Sequence, residues 1–288
     1  MATWQEVNAA WDGATGTMLS REFPMGPYYS LQQFERFSSV ADAAAFSVEG
    51  LRCLDLGCGP NKPFATASLL HLRGAREVVA IDVQPYTKVL AVGARLHALL
   101  ACVAAGLTPL TSGDAAQRRA VLSRLGDFDL PAIKRGDFAG LPKTIRHVVG
   151  DYRTLAPADA SFDLCVSFSV FEHVAELDTV LASMKRNMST RGAIFADIDY
   201  KDHRCYGAKL SPWQYLMDDS DFSPGYINRL RHSLMTRTIA AADLFVERSE
   251  LRRADPPREV LDNLHANHRH WSRDDLSIVE ERVLLRHA

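Results

Sequence analysis

Short apolar runs alternate with helix-patterned segments through the middle of this chain, and that alternation limits the fold more than any single residue does. The runs are "LRCLDL" at 51–56, "VVAIDV" at 78–83, "HVVGD" at 147–151, "FDLCVSFS" at 162–169 and "AIFADID" at 193–199. Each has the length of a buried strand. Strands separated by helices lie parallel, because a crossover over the sheet face is what connects parallel neighbours. Between the fourth and fifth runs, Val174, Leu177, Leu181 and Met184 recur at helical spacing. Two later runs, "DLFVERSEL" and "LSIVEERVLL", read as strands of an antiparallel edge. The expectation is an α/β fold with a doubly wound, mostly parallel, seven-stranded sheet and an antiparallel edge strand.

One interval breaks the rhythm. A crossover helix needs roughly 10–15 residues, yet Gln84 to Arg146 separates the second and third strands. "YTKVLAVGARLHALLACVAAG" and "DAAQRRAVLSRLG" read as two helices, so 84–146 is expected to be a helical insertion. Residues 1–48 read as an N-terminal helical cap on a single domain spanning 49–288, with a substrate-facing segment at about 200–235.

Charge and cysteine usage narrow the function classes. The 33 Lys and Arg against 35 Asp and Glu give a net charge of -2, which offers nucleic acid no global attraction. The cysteines Cys53, Cys58, Cys102, Cys165 and Cys205 are odd in number and scattered, a usage that suits the reducing cytoplasm. No run approaches the ~18 apolar residues of a membrane span, and the N-terminus carries no signal pattern. A cytoplasmic chain without nucleic-acid or membrane partners is expected.

The first strand runs directly into "LDLGCGP", where Gly57 and Gly59 mark a tight turn at which backbone approaches a ligand closely. Dinucleotides and S-adenosylmethionine both use such a turn. A dinucleotide fingerprint would place a third glycine where Lys62 stands. Asp82, at the tip of the second strand, can accept hydrogen bonds from ribose hydroxyls of either ligand. Asp151, at the tip of the third, can receive the exocyclic amine of adenine, with the Tyr152 backbone amide beside it. Together these strand tips describe an adenosine cradle.

As an ordered set, "LDLGCGP", "AIDV", "GDYRTL" and "FDLCVSFSVFEHV" resemble the successive motifs of class I S-adenosylmethionine-dependent methyltransferases of the bacterial small-molecule type, over about residues 50–200. That resemblance implies a Rossmann-like sheet and S-adenosyl-L-methionine as cofactor. It puts Asp55, Gly57, Cys58 and Gly59 around the methionine moiety, Asp82 and Val83 at the ribose edge, and Asp151 and Tyr152 at adenine. Ser167 and Phe168 would line the cofactor floor. Tyr29, ahead of the first strand, is a candidate to close the pocket.

For the chemistry, "FEHV" puts Glu172 and His173 just past the fourth strand. Histidine, with an ordinary pKa of ~6.5, can take a proton from a hydroxyl near neutral pH. Past the fifth strand, Asp197, Asp199, Asp202 and His203 cluster, but the Asp-Asn pair of magnesium-dependent relatives is missing, so no metal is expected. Trp213, Tyr226, Arg229 and Arg231, with Arg204, could form aromatic walls and guanidinium forks for an anionic acceptor. His265, His268 and His270 lack a completing ligand and read as surface histidines. The expected function is methyl transfer to a hydroxyl or carboxyl oxygen of a small biosynthetic molecule, with a homodimer as one assembly. Carbon or nitrogen acceptors, a nucleic-acid substrate and a non-catalytic cofactor-binding protein are the rival readings.

Overall fold

A computed structural model describes residues 27–108, 110, 115–155, 161–208, 210–219 and 227–288. Seven strands form one sheet in the order β3-β2-β1-β4-β5-β7-β6. Their spans are β1 Arg52–Leu56, β2 Glu77–Asp82, β3 Ile145–Val149, β4 Phe162–Phe168, β5 Met188–Asp199, β6 Leu244–Arg253 and β7 Ile278–His287. The chain divides into two compact units, Met1–Val166 and Ser167–Ala288.

In the first unit β1 pairs parallel with β2, Leu54 opposite Val79, and β2 pairs parallel with β3, Ala80 opposite His147. Cys53, Leu54, Val78, Ala80 and Ile81 are all buried. Strands covered on both faces read as unbroken apolar runs, which is why the sequence marked β1 and β2 so clearly. β3 stands at the end of the strand order and is apolar only in part, with Arg146 and Val149 exposed. Helix α1 (Pro27–Ala43) buries Leu31, Phe34, Phe37, Val40 and Ala41. Helix α2 (Ala65–Leu72) follows the glycine turn and is buried along its whole length.

The expected insertion is helical: α3 (Val89–Ala104), α4 (Ala115–Leu125), α5 (Leu130–Lys134) and a 3-10 turn at Phe138–Gly140. Asp129 caps α5 by accepting the Ala132 N–H at 3.0 Å, and Pro131 stands in its first turn, where a missing N–H does no harm.

In the second unit α6 (Leu177–Asn187) leads straight into β5. β7 runs antiparallel to both β5 and β6, so it lies one place in from the end of the strand order. β6 is the end strand, carrying Glu247, Arg248, Glu250, Arg252 and Arg253 with irregular register past Val246 and Arg252, the charge and bulge that protect a sheet edge. Short helices α7 (Cys205–Ala208), α8 (Gln214–Asp218), α10 (Arg258–Asp262) and α11 (Arg273–Ser277) and the longer α9 (His232–Ala241) complete this unit.

Candidate functional site

At the end of β1 the backbone of Gly57 and Gly59 takes φ of 71° and 77°, a region closed to most side chains. A Cβ placed on Gly59 would meet nothing within 4 Å, so its backbone faces open space. The turn is pinned to β2: Gly57 and Cys58 both donate N–H to the Ile81 carbonyl, at 2.9 and 3.2 Å. Asp82, at the tip of β2, accepts the Gly59 N–H at 2.9 Å through one oxygen and the Gln84 N–H at 2.8 Å through the other. Its carboxylate therefore shapes the glycine turn while each oxygen keeps lone-pair capacity for a ligand. Val83, next in line, is 68% exposed.

Asp55 is the unusual group. It is 2% exposed, its Oδ2 has no hydrogen-bond partner among the described residues, and burial pushes its carboxyl up to about 7, with Lys62 pulling it down and Asp82 adding to the rise. A buried orphan oxygen beside open backbone is a place prepared for a donor. Lys62 takes the place of a third glycine, donates to Gln33 Oε1 and stands 4.5 Å over the ring of Tyr29. The helix before β1 thus brings Tyr29 against Lys62, three residues past Gly59. Cys58 is buried and burial pushes its thiol well up, so it fills space in the turn.

Asp151 departs from the expected picture. It caps the turn at Tyr152–Thr154 by accepting the Arg153 N–H at 2.9 Å, and the Arg153 guanidinium grips the same carboxylate at 2.5 Å. That fork holds its pKa below the usual range. An adenine amine would share Asp151 with Arg153. Tyr152 is buried. Beside this cradle Phe64, Tyr86, Phe138 and His147 pack ring to ring at 4.6–5.6 Å, so the insertion contributes Phe138 to the aromatic wall after the glycine turn. The sequence held no periodic signal for that wall.

In the second unit, Ser167 is buried with an unpartnered Oγ, and Phe168 packs against Phe195 at 5.5 Å. Past β4 the chain makes a 3-10 turn, Phe171–His173, which buries Glu172 and exposes His173. Asn228 clamps that turn. Its Nδ2 donates to the carbonyls of Phe171 and Val174 at 2.7 and 2.9 Å, and its backbone N–H donates to the Glu172 carbonyl at 2.7 Å. Glu172 Oε1 accepts the Asp199 N–H at 3.3 Å, while Oε2 has no partner. Burial, reinforced by Asp199 and Asp197, holds the Glu172 carboxyl well above the usual range. His203, past β5, brings its ring to 4.7 Å from that of His173. Asn228 and His203 are the residues whose part in this site the sequence did not reveal.

The arginines expected to hold an acceptor carry their own partners. Arg204 grips Asp202 at 2.6 Å and Asp218 at 3.0 Å, and Arg229 reaches Asp219 at 2.9 Å. Two corrections follow. Arg231 is wholly enclosed and spends its guanidinium on the carbonyls of Tyr200, Asp275, Leu276 and Ile278 and on the Tyr215 hydroxyl, so it is a core strut and not a substrate ligand. Trp213 is likewise core: 5% exposed, packed with Tyr215, Leu216 and Ile227, its Nε1 donating to the Leu276 carbonyl at 2.8 Å. Tyr226 lies outside the described residues. His265 and His268 converge on Asp219, which also accepts Asn267, and so serve a structural network.

Residues 126–196, a quarter of the chain, match the family model described as a methyltransferase domain. Among curated proteins none matches the sequence. Solved structures to which the chain is similar include an S-adenosylmethionine-dependent methyltransferase from Mesorhizobium loti, at 15% identity and a TM-score of 0.45, covering 83% of this chain and 92% of that one. A magnesium protoporphyrin IX methyltransferase from Synechocystis with bound S-adenosylhomocysteine is 11% identical, with a TM-score of 0.46 over 90% of this chain and 84% of the other. An arsenic(III) methyltransferase from Chlamydomonas reinhardtii is 18% identical, with a TM-score of 0.46 over 84% and 65%.

The strand order and the glycine turn define a Rossmann-like fold. The methyltransferase-domain match falls across β3, β4 and α6 of that fold. The cofactor suits the residues present: Asp55 Oδ2 lacks a donor, Gly59 faces open space, and Asp82 retains acceptor capacity.

Proposed function

We propose that this chain is a class I S-adenosylmethionine-dependent methyltransferase acting on an oxygen of a small-molecule acceptor in the cytoplasm, with Glu172 and His173 as the groups that handle the acceptor. The observation that carries this reading is an exposed imidazole on a clamped turn beside a buried carboxylate with one orphan oxygen. When bound, S-adenosylmethionine supplies an electrophilic methyl group on a sulfonium, open to in-line displacement. Asp55 would hold the ammonium of its methionine moiety, Asp82 the ribose hydroxyls, Asp151 and Tyr152 the adenine edge, and the exposed Val83 would give apolar surface to the base. Gly57, Gly59 and Cys58 would let backbone come close, and Tyr29 would cover the cradle.

As the new carbon–oxygen bond forms and the sulfur–carbon bond breaks, the acceptor hydroxyl must shed a proton. His173 receives it, since imidazole is the side chain whose ordinary titration lies nearest neutrality. Glu172 orients the acceptor. The three arginines read from sequence already hold carboxylates or carbonyls, so the reading attaches no charge to the acceptor. A cytoplasmic setting is supported by five cysteines that all stand free; among the described residues no helix is long and apolar enough to cross a membrane.

Calorimetric titration with S-adenosylhomocysteine, followed by an acceptor screen read by mass spectrometry, tests the reading. His173→Ala should lose turnover on any oxygen acceptor while keeping its S-adenosylhomocysteine affinity. Full turnover in that variant would remove His173 from the chemistry.

A further inference from the structure

Glu172, His173 and His203 bring one carboxylate oxygen and two imidazole nitrogens to within 4.8 Å of one another. All three belong to the second unit, two on the turn after β4 and one on the turn after β5. Glu172 is 4% exposed and its Oε2 has no hydrogen-bond partner among the described residues. His203 Nε2 is also buried without one, its nearest carboxylate oxygen being Asp199 Oδ2 at 3.6 Å. Two buried polar atoms left unmatched at one spot are a standing penalty unless something engages both.

Direct pairing does not resolve it, because neither atom hydrogen-bonds the other. Asp199 is already engaged by the Lys201 N–H at 2.9 Å, by the Lys201 ammonium at 3.3 Å and by the Tyr206 hydroxyl. A cation satisfies a carboxylate oxygen and two imidazole nitrogens at once. Ligand bonds of about 2.0–2.2 Å set donor atoms about 3–4 Å apart, so small side-chain rotations close the present spacing onto one centre. Asn228 already fixes the turn carrying two of the three ligands. The exposure of His173 leaves the remaining coordination positions open to water or to an acceptor.

We infer that Glu172, His173 and His203 form a site for one divalent transition-metal cation. Two imidazoles and one carboxylate suit zinc, manganese or iron(II), not magnesium or calcium, which take oxygen ligands. The role of the site rests on the proposed function: a cation here would hold the acceptor oxygen and lower its affinity for a proton, as bound metals do for water. His173 then serves as a ligand, and the cation takes over the activation assigned above to its imidazole.

The test uses the full chain, stripped with a chelator and dialysed. Cobalt(II) binding is followed by visible absorption and zinc(II) binding by calorimetry, for the wild type, Glu172→Gln, His203→Gln and the rival-site variant His265→Gln. S-adenosylhomocysteine affinity is measured on each. One equivalent of metal in the wild type and in His265→Gln is expected, with affinity lowered about 100-fold or more in the other two and S-adenosylhomocysteine binding kept in all. A wild type that takes up neither metal, or metal affinity that survives both Glu172→Gln and His203→Gln, overturns the inference. Should Glu172→Gln fail to fold, His203→Gln carries the same decision. Metal binding without any S-adenosylhomocysteine binding would leave this site standing and refute the functional reading instead.

Discussion

The rings of His173 and His203 meet edge to face, centroids 4.7 Å apart and planes inclined at 71°, although they follow different strands. The backbone around them makes the meeting reproducible. Ser169 donates its N–H to the Asp197 carbonyl at 2.8 Å, and Asp199 donates to Glu172 Oε1, so the turn after β4 is tied to β5 just before His203. Glu172 and His173 sit on a turn whose carbonyls at Phe171 and Val174 both depend on one side chain, Asn228.

Asn228→Ala therefore tests whether the turn must be held. The variant loses both of those bonds and the acceptor for the Leu230 N–H at 3.1 Å. At about 0.5–1.5 kcal/mol for each of the three net hydrogen bonds, a loss of about 1.5–4.5 kcal/mol in chemical denaturation is expected. Turnover should fall about tenfold or more as the pair loses its geometry, with S-adenosylhomocysteine affinity kept. Equal losses in turnover and in cofactor affinity would show that Asn228 supports the fold at large and not this turn.

Asp82 performs two tasks, and replacing it separates them. In the free chain it braces the glycine turn through Gly59 and Gln84; with cofactor present it is also to accept ribose hydroxyls. Charge-assisted bonds contribute roughly 1.5–3 kcal/mol each, so Asp82→Ala should weaken S-adenosylhomocysteine by about 100-fold or more in calorimetry. A loss under about threefold would mean the carboxylate serves the turn alone.

What was legible in the sequence follows from burial and locality. β1, β2 and β4 are largely buried, so their runs of Val, Leu, Ile and Cys stood out, and the glycine turn needs residues only two apart. The lower-contrast β3 was placed by its acid at Asp151, though that acid proved to be held by Arg153. The insertion of β7 between β5 and β6 was not legible, since alternation marks a strand without naming its neighbours. Nor was the convergence of His203 and Asn228 on the Glu172–His173 turn. Neither has a periodic pattern that points to that turn; the tertiary fold brings them there. Arg231 misled for a related reason: an arginine ordinarily reads as surface, and nothing local shows that carbonyls of Asp275, Leu276 and Ile278 will surround it.

Arg231→Met should accordingly act on stability. The thioether fills part of the volume but leaves several carbonyls without the donors that now bind them at 2.6–3.1 Å. Stranded buried groups cost about 1–3 kcal/mol each, so a loss of at least about 3 kcal/mol is expected in urea or guanidinium unfolding. At a temperature where the variant remains folded, its acceptor KM should equal that of the wild type. A raised KM with unchanged stability would restore the arginine as a substrate ligand.

Asp55 gives the sharpest dependence on pH. Its carboxyl titrates at about 7 in the folded chain, chiefly through burial, against about 4 for an ordinary carboxyl in the unfolded one. Between those values the folded chain keeps a proton that the unfolded chain has lost. The stability this group contributes is therefore full below about pH 4 and declines as pH rises to about 7. Asp55→Asn removes that decline, so the wild-type and variant unfolding curves should converge toward acid and separate toward neutral pH, the variant being the more stable above about pH 7. Cofactor reverses the preference: an ammonium beside Asp55 favours the carboxylate, and binding then expels the proton. S-adenosylhomocysteine affinity should rise between about pH 6 and about pH 8, with a proton released on binding. Titrations in buffers of different ionisation enthalpy would count that proton. An affinity flat across the range in the wild type, or a slope that persists in Asp55→Asn, would mean that the methionine ammonium is held by another group.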